Sequence, residues 1–193
     1  MKKTLSKRRL LATLCLFLAV CLLASVIFLD KAERSERELT FYDSILTACS
    51  TFSLSPALVF AVIRTESDFH PDARSPAGAV GLMQLMPDTF AYLRDSFFEE
   101  KLTNDAIYDP TVNIRYGTCY LAHLLQKFGS LDVALAAYNA GEGRVALWLT
   151  DGSLSRDGKT LLKIPFPETE RYVAQTKKYY RYYLNKFHFK EHV

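Results

Sequence analysis

The sequence predicts a mainly α-helical domain of the α+β class, preceded by one N-terminal transmembrane helix. Three observations lead to this prediction. Leu10 to Leu29 is a run of twenty residues without a charge. From Thr40 onward, apolar residues recur at helical spacing. Glycine and proline concentrate in residues 71–87, which predicts a loop with a small β-hairpin at most.

The N-terminal segment has the charge pattern of a membrane anchor. A helix of twenty residues spans about 30 Å, the thickness of the hydrocarbon core of a bilayer. Residues 1–29 contain five basic residues and no acidic one. We expect this basic flank to stay in the cytoplasm, so that the rest of the chain lies outside the cytoplasmic membrane, in the periplasm or cell wall.

This pattern divides the chain into three parts. We expect a single-pass signal anchor over residues 1–30, a charged stalk over residues 31–40 and one domain over residues 41–193. A cleaved signal peptide is the alternative, because Ala24-Ser25 is a weak cleavage site. Both alternatives export the domain.

Charge and metal-ligand spacing exclude several classes of function. Without the five N-terminal basic residues, 19 basic and 21 acidic residues remain, and this balance argues against a nucleic-acid partner. The histidines and cysteines lack the spacing of a metal site, so we expect no metal and no cofactor. Cys49 and Cys119 lie outside the apolar run, where they could form a disulfide or remain two buried thiols.

Seven helices are predicted in the domain. Their starts and ends follow from proline at the first helical position, glycine after the last turn and the apolar period. They cover Phe41–Cys49, Ser55–Asp68, Asp88–Phe98, Pro110–Phe128, Ser130–Tyr138, Glu142–Leu149 and Glu168–Phe187. Residues 152–167 form a second loop-rich segment.

Glu66 is the first candidate for chemistry. It continues the apolar stripe of Leu58 and Val62 on the predicted helix from Ser55. A carboxylate in that position is partly desolvated, which raises its pKa toward the range that a general acid needs. A glutamate at a helix end, where the apolar stripe meets solvent, is the alternative.

Two further motifs suggest a binding cleft. Residues 81–87 (GLMQLMP) place two methionines and a glutamine in a loop, where methionine suits the face of a ring and glutamine offers a donor and an acceptor. In Tyr138-Asn139, a phenol and an amide precede Gly141, a typical helix C-cap. Core packing and a simple helix stop are the alternatives.

In their order along the chain, these motifs resemble the catalytic domain of soluble lytic transglycosylases over about residues 42–185. The matching segments are residues 66–69 (ESDF), 75–87 (SPAGAVGLMQLMP), 109–117 (DPTVNIRYG), 134–141 (ALAAYNAG) and 170–173 (ERYV). The resemblance implies a lysozyme-like fold of the goose type. It departs from some family members in lacking their large helical superstructure.

The resemblance also implies roles for individual residues. Glu66 corresponds to the single catalytic acid/base of the family. The positions that correspond to residues lining the sugar-binding cleft or lying near the catalytic carboxylate are Ser67, Gln84, Met86, Tyr138, Asn139 and Tyr172. The family requires no metal or cofactor.

The implied partner is the glycan strand of peptidoglycan, with the membrane reached through the N-terminal helix. The implied reaction cleaves the bond between N-acetylmuramic acid and N-acetylglucosamine and leaves a 1,6-anhydromuramyl end. Hydrolysis is one alternative, with Asp68, Asp72 or Asp88 as a second acid. A glycan-binding or scaffold role among other envelope proteins is another, and no particular protein partner is indicated.

Overall fold

The computed structural model describes residues 2–98 and 100–189, with side chains from residue 9 onward. The chain divides into two compact units between Leu39 and Thr40. Helix α1 extends over Lys2–Thr40 and forms the first unit except for its last residue, Thr40. Its part from Arg9 is long and apolar enough to cross a membrane, although a signal sequence would meet the same criteria.

The second unit is built from helices. They are α2 (Tyr42–Phe52), α3 (Pro56–Ser67), α4 (Pro87–Phe97), α5 (Pro110–Phe128), α6 (Leu131–Ala140), α7 (Glu142–Thr150) and α8 (Pro167–Phe187). All seven predicted helices are confirmed, with ends that differ by a few residues. A 3₁₀ turn at Asn104–Tyr108 was not predicted.

Helix α3 is the central helix of this unit. Its residues from Ala57 to Ile63 are all buried, so no face of this stretch reaches solvent. A helix that is apolar on every side belongs in a core. Its main packing partner is α8, and the Phe60 ring lies 5.2 Å from the Tyr183 ring of that helix. Helix α3 is therefore enclosed by the core along this stretch.

The predicted β-hairpin is not confirmed. In the described part of the chain, residues 71–87 form turns with two isolated antiparallel bridges, Arg74 to Val80 and Val80 to Leu85. Gly78 and Gly81 have φ angles of 95° and 79°, a region that glycine enters without strain. Each bridge is closed by a tight turn, which leaves no run of residues long enough for paired strands.

Cys49 and Cys119 are free thiols, and both are buried. Burial raises the pKa of Cys49 to about 12 and that of Cys119 to about 11. The thiolate is the reactive form of cysteine. Both side chains therefore act as small apolar groups within the helical core.

Candidate active site

Glu66 lies in the last turn of α3 and is partly buried. Burial raises its pKa from 4.5 to about 7, because a charged carboxylate loses hydration there. Near neutral pH the protonated and ionised forms of Glu66 are therefore both populated. A carboxyl group in this state can donate a proton in one step and accept one in the next.

Two tyrosines from other helices surround this carboxyl group. The charge of Glu66 contributes to raising the pKa of Tyr138 on α6 and of Tyr172 on α8, although burial is the larger cause for both. The Tyr172 hydroxyl approaches Glu66 and lowers the pKa of the carboxyl somewhat. It is buried without a well-formed hydrogen bond, so this contact only partly offsets the effect of burial.

A strained turn follows Glu66. Asp68 and Phe69 have φ angles of 49° and 64°, in the left-handed region that side-chain-bearing residues rarely enter. The Phe69 ring is fully buried and lies 5.8 Å from the ring of Phe60. Burial of this ring offsets the backbone strain, and the chain leaves α3 in a fixed direction just beyond the carboxylate.

The hydroxyl of Ser67 also fixes this region. It donates to the carbonyl of Leu82 at 2.8 Å and to that of Ile63 at 3.1 Å. Ser67 is only 9% exposed. Its side chain therefore ties the end of α3 to residues 71–87, which we call the active-site segment.

Asn113 on α5 binds the same segment, so that side chains of two different helices hold it. Its Oδ1 accepts from the Met83 amide at 2.8 Å, and its Nδ2 donates to the carbonyls of Val80 and Ile107 at 3.0 Å each. Asn113 is 1% exposed, and its hydrogen bonds join the segment to both α5 and the 3₁₀ turn. The sequence placed Asn113 in a motif but did not indicate this role.

A cavity of about 230 Å³ lies beside the segment. Four predicted substrate residues meet in it: Gln84, Met86, Tyr138 and Asn139. The other lining residues are Leu85, Thr89, Tyr120, Ala140 and Gly141. Glu66, Ser67 and Tyr172 do not line this cavity. Tyr138 connects it to Glu66, because it lines the cavity and is also in electrostatic contact with that carboxylate.

The polar groups in the cavity are held in defined orientations. The Tyr138 hydroxyl donates to the carbonyl of Met83 at 2.9 Å. Asn139 accepts from the hydroxyl of Thr169 at 2.8 Å through its Oδ1, which leaves its Nδ2 to donate to a ligand. Gln84 donates through its Nε2 to the carbonyls of Ala73 and Gly81, so its Oε1 remains an acceptor.

Met86 and Tyr120 supply the apolar surface of the cavity. Met86 is 39% exposed, and the Tyr120 ring lies 5.4 Å from the Tyr138 ring. Sequence reasoning missed Tyr120 and Thr169. Tyr120 gave no signal beyond the helical period of α5, and Thr169 precedes the matching segment 170–173. Over residues 2–98 and 100–189, no cluster of three or more His, Cys, Asp or Glu side chains could hold a metal ion.

Comparison with known proteins identifies similar chains. The chain is 38% identical over 133 residues to a soluble lytic murein transglycosylase of Salmonella typhimurium, which covers 67% of this chain and 21% of that protein. A membrane-bound lytic murein transglycosylase C of Actinobacillus pleuropneumoniae is 34% identical over 106 residues, covering 49% of this chain and 28% of that protein. The chain thus spans much less than half the length of either relative.

A solved structure gives the same result for the fold. The lytic transglycosylase Slt of Pseudomonas aeruginosa, crystallised as an inactive glutamate-to-glutamine mutant, superposes with a TM-score of 0.66 at 35% sequence identity. The match covers 76% of this chain and 24% of that one. The lysozyme-like fold that the resemblance implied is confirmed at the level of this family.

A family model described as the transglycosylase SLT domain matches residues 43–157. The match includes Glu66, the active-site segment and Tyr138-Asn139, and it ends before Tyr172. Because it covers more than half of the sequence, the chain belongs to the transglycosylase SLT domain family.

Proposed function

We propose that the chain is a peptidoglycan lytic transglycosylase with Glu66 as its single acid/base. It cleaves the bond between N-acetylmuramic acid and N-acetylglucosamine by intramolecular transfer. The observation that carries this proposal is the position of Glu66 at the end of α3, beside Tyr138 and Tyr172. Burial there raises the pKa of its carboxyl to about 7, which suits one carboxyl group that has to serve as acid and then as base. A glutamate-to-glutamine change accompanies inactivity in the Pseudomonas relative.

The first step needs the protonated form of Glu66. Its proton goes to the oxygen that bridges the two sugars, the bond from that oxygen to C1 of the muramyl residue breaks, and N-acetylglucosamine leaves as an alcohol. Burial of Glu66 supports this step, because it keeps a large fraction of the carboxyl protonated at neutral pH.

The second step needs the ionised form. The 6-hydroxyl of the muramyl residue attacks C1 and gives its proton to Glu66, which closes a 1,6-anhydro ring and restores the acid. No water is consumed, so no second carboxylate is required to activate one. Among the described residues, Glu66 is the only carboxylate whose charge contributes to the raised pKa of Tyr138 and of Tyr172. This supports the single-acid mechanism.

The predicted substrate residues divide into two groups in this proposal. Asn139, Gln84 and Met86 contact the saccharide directly, with an amide donor, an amide acceptor and an apolar surface. Ser67, Tyr138 and Tyr172 remain predicted substrate residues. The hydroxyls of Ser67 and Tyr138 already donate within the protein, so we infer that these two act mainly by fixing the active-site segment next to Glu66.

The test is mass spectrometry of muropeptides released from purified peptidoglycan. The wild-type chain is expected to release products lighter by one water than hydrolytic ones, with no reducing muramic end. Glu66→Gln should reduce release by about a thousandfold or more, since the amide cannot transfer a proton. Glu168→Gln, at an exposed glutamate on α8, is the matched control and should leave release unchanged.

Three other results would each contradict part of the proposal. Reducing ends would mean hydrolysis and a second acid. Turnover retained by Glu66→Gln would mean that another group supplies the proton. An inactive wild-type chain that still binds glycan strands would favour a binding role.

We further propose that helix α1 anchors the domain in the cytoplasmic membrane, with the domain on the outer side. Its charge-free segment and basic flank support this, as does the membrane-bound relative. Carbonate extraction of membranes should leave the chain in the pellet, and protease added to spheroplasts should degrade the domain. Release into the soluble fraction would instead indicate a cleaved signal peptide.

A further inference from the structure

Helix α8 concentrates positive charge that the rest of the domain does not have. Residues 171–187 contain five basic residues and no acidic one. Residues 30–170 and 188–193 together contain 14 basic and 21 acidic residues. The charge is therefore polarised, with a positive helix on a body that is net negative.

Two of these basic side chains face solvent. Lys178 and Arg181 are exposed, and within residues 2–98 and 100–189 neither of them forms an ion pair. Their neighbour Lys177, by contrast, pairs with Asp132. Lys178, Arg181 and Tyr182 lie within about 100° of the helix circumference, and we call these three residues the basic face of α8.

The exposed ring of Tyr182 distinguishes this face from an ordinary solvated helix surface. Tyr182 is 40% exposed. The guanidinium of Arg64 lies 5.0 Å from the centroid of its ring, and the ammonium of Lys186 lies 5.8 Å from it. Tyrosine with basic side chains around it is typical of protein surfaces at the boundary between a bilayer and water.

The basic face also lies near the point where the chain enters the domain. The ring of Tyr42, the first residue of α2, is 5.3 Å from the ring of Phe187 at the end of α8. Tyr182 is about 8 Å along the helix from Phe187. Only residues 30–40 separate the charge-free run from this point, and eleven residues extend over at most about 40 Å. A domain anchored through α1 therefore keeps the basic face within reach of the bilayer surface.

We propose that the basic face of α8 binds the anionic lipid headgroups of the membrane that holds α1. Lipid phosphates accept hydrogen bonds from ammonium and guanidinium groups, and each basic residue near such a surface strengthens binding about fivefold. The same surface repels the net negative remainder of the domain, so binding through this face would orient it. This inference rests on the proposed anchoring by α1.

The test measures the reactivity of Lys178 in the full-length chain, reconstituted in vesicles. The vesicles consist of phosphatidylcholine alone or with one third phosphatidylglycerol. An uncharged amine-reactive ester modifies exposed lysines, and mass spectrometry of peptides quantifies each one. We expect Lys178 to react about fivefold more slowly in the anionic vesicles. Lys159, exposed in the loop after α7, is the internal reference and should react equally in both.

Three changes separate binding of headgroups from other causes of protection. Arg181→Gln leaves the reporter lysine in place and should bring the reactivity of Lys178 in anionic vesicles to within about twofold of that in neutral ones. Arg156→Gln, at an exposed arginine in the loop after α7, is the matched control and should leave the protection unchanged. Salt at about 1 M should abolish the protection in the wild-type chain, because the Debye length falls to about 3 Å. Thermal melting checks that each variant remains folded.

Three outcomes would overturn the inference. Equal reactivity of Lys178 in both kinds of vesicle would mean that the face does not bind lipid. Equal loss of protection in Arg181→Gln and Arg156→Gln would mean that only the total charge matters. Protection by cell-wall sacculi added to neutral vesicles, without protection by phosphatidylglycerol, would assign the face to an anionic wall polymer. Failure of the proposed anchoring is distinct from these, since carbonate would then extract the chain from vesicles of both compositions.

Discussion

Two irregular segments of this domain differ in how they are held. The active-site segment, residues 71–87, and the segment between α7 and α8, residues 151–166, both contain glycine and proline. In the first, Gly81, Leu82 and Met83 are buried, and side chains of α3 and α5 bind its backbone. In the second, most residues are exposed, and Asp151 and Asp157 bind backbone amides two or three residues away.

This difference favours the active-site segment as the place for a catalytic site. Local hydrogen bonds fix the shape of a loop, but they do not fix its position relative to the rest of the domain. Ser67 and Asn113 bind the active-site segment from two helices, so its atoms keep their distances from Glu66. A site needs this support from rigid elements to hold its groups in productive geometry.

The largest expected loss of stability comes from removing the Asn113 side chain, which binds the active-site segment. Asn113→Ala leaves the Met83 amide and the carbonyl of Ile107 without their partner in a buried site, while the carbonyl of Val80 keeps the Leu85 amide as a donor. Each orphaned group costs about 1–3 kcal/mol, so we expect a loss of about 4 kcal/mol in the free energy of unfolding. Urea denaturation of the domain measures it.

Asp157→Ala is the matched change in the other segment. Asp157 also makes several hydrogen bonds, to the amides of Lys159 and Thr160 among others. These groups are exposed, and water replaces the lost partner. A shift in the urea midpoint as large as that of Asn113→Ala would contradict the comparison between the two segments.

The sequence predicted the helices well because their periods and caps are local. Pro110, for example, follows Asp109, and the Asp109 carboxylate accepts from the amides of Thr111 and Val112 as a helix cap should. Glu66 became a candidate in the same way, from its place at the end of an apolar stripe. Its pKa of about 7 agrees with the desolvation inferred from that place.

The sequence could not predict contacts between distant residues. The hydrogen bond from Thr169 to Asn139 joins residues thirty positions apart, and that from Tyr138 to Met83 joins residues fifty-five apart. No local pattern encodes either pair. The β-hairpin failed for a related reason, because the glycines and prolines that suggested a turn between strands in fact form successive turns packed against helices.

The second prediction compares two carboxylates, Glu66 beside the active-site segment and Asp157 in the other. Burial raises the pKa of Glu66 to about 7, whereas hydrogen bonds lower the pKa of Asp157 below its usual range. Between pH 4.5 and 7 the folded domain keeps a proton on Glu66 that the unfolded chain releases, so Glu66 destabilises the fold increasingly as pH rises.

Glu66→Gln should therefore stabilise the domain, and only above about pH 5. The full effect is about 3 kcal/mol at pH 8, and it should vanish at pH 4, where both states hold the proton. Asp157→Asn should act in the opposite direction, since the stability that the ionised carboxylate contributes is present above about pH 4 and lost in acid. Melting temperatures from pH 3 to 8 measure both. A stabilisation by Glu66→Gln that is equal at all pH values would mean that the pKa of Glu66 is not raised.

The smallest expected effect is a difference in stability between alanine variants at two glycines with similar backbone conformations. Gly81 and Gly158 have φ angles of 79° and 68°, so alanine at either position costs about 1 kcal/mol of backbone strain. A Cβ at Gly81 would overlap Nδ2 of Asn113, whereas at Gly158 its nearest neighbour is the carbonyl of Leu149 at 3.9 Å. Asn113 cannot move without losing its hydrogen bonds, which adds about 2 kcal/mol at Gly81 alone.

Urea denaturation should thus rank the stability of Gly81→Ala below that of Gly158→Ala by that difference, with muropeptide release lost only in Gly81→Ala. Equal losses for the two variants would mean that the active-site segment can shift away from Asn113, and the helices would then not be what holds it in place.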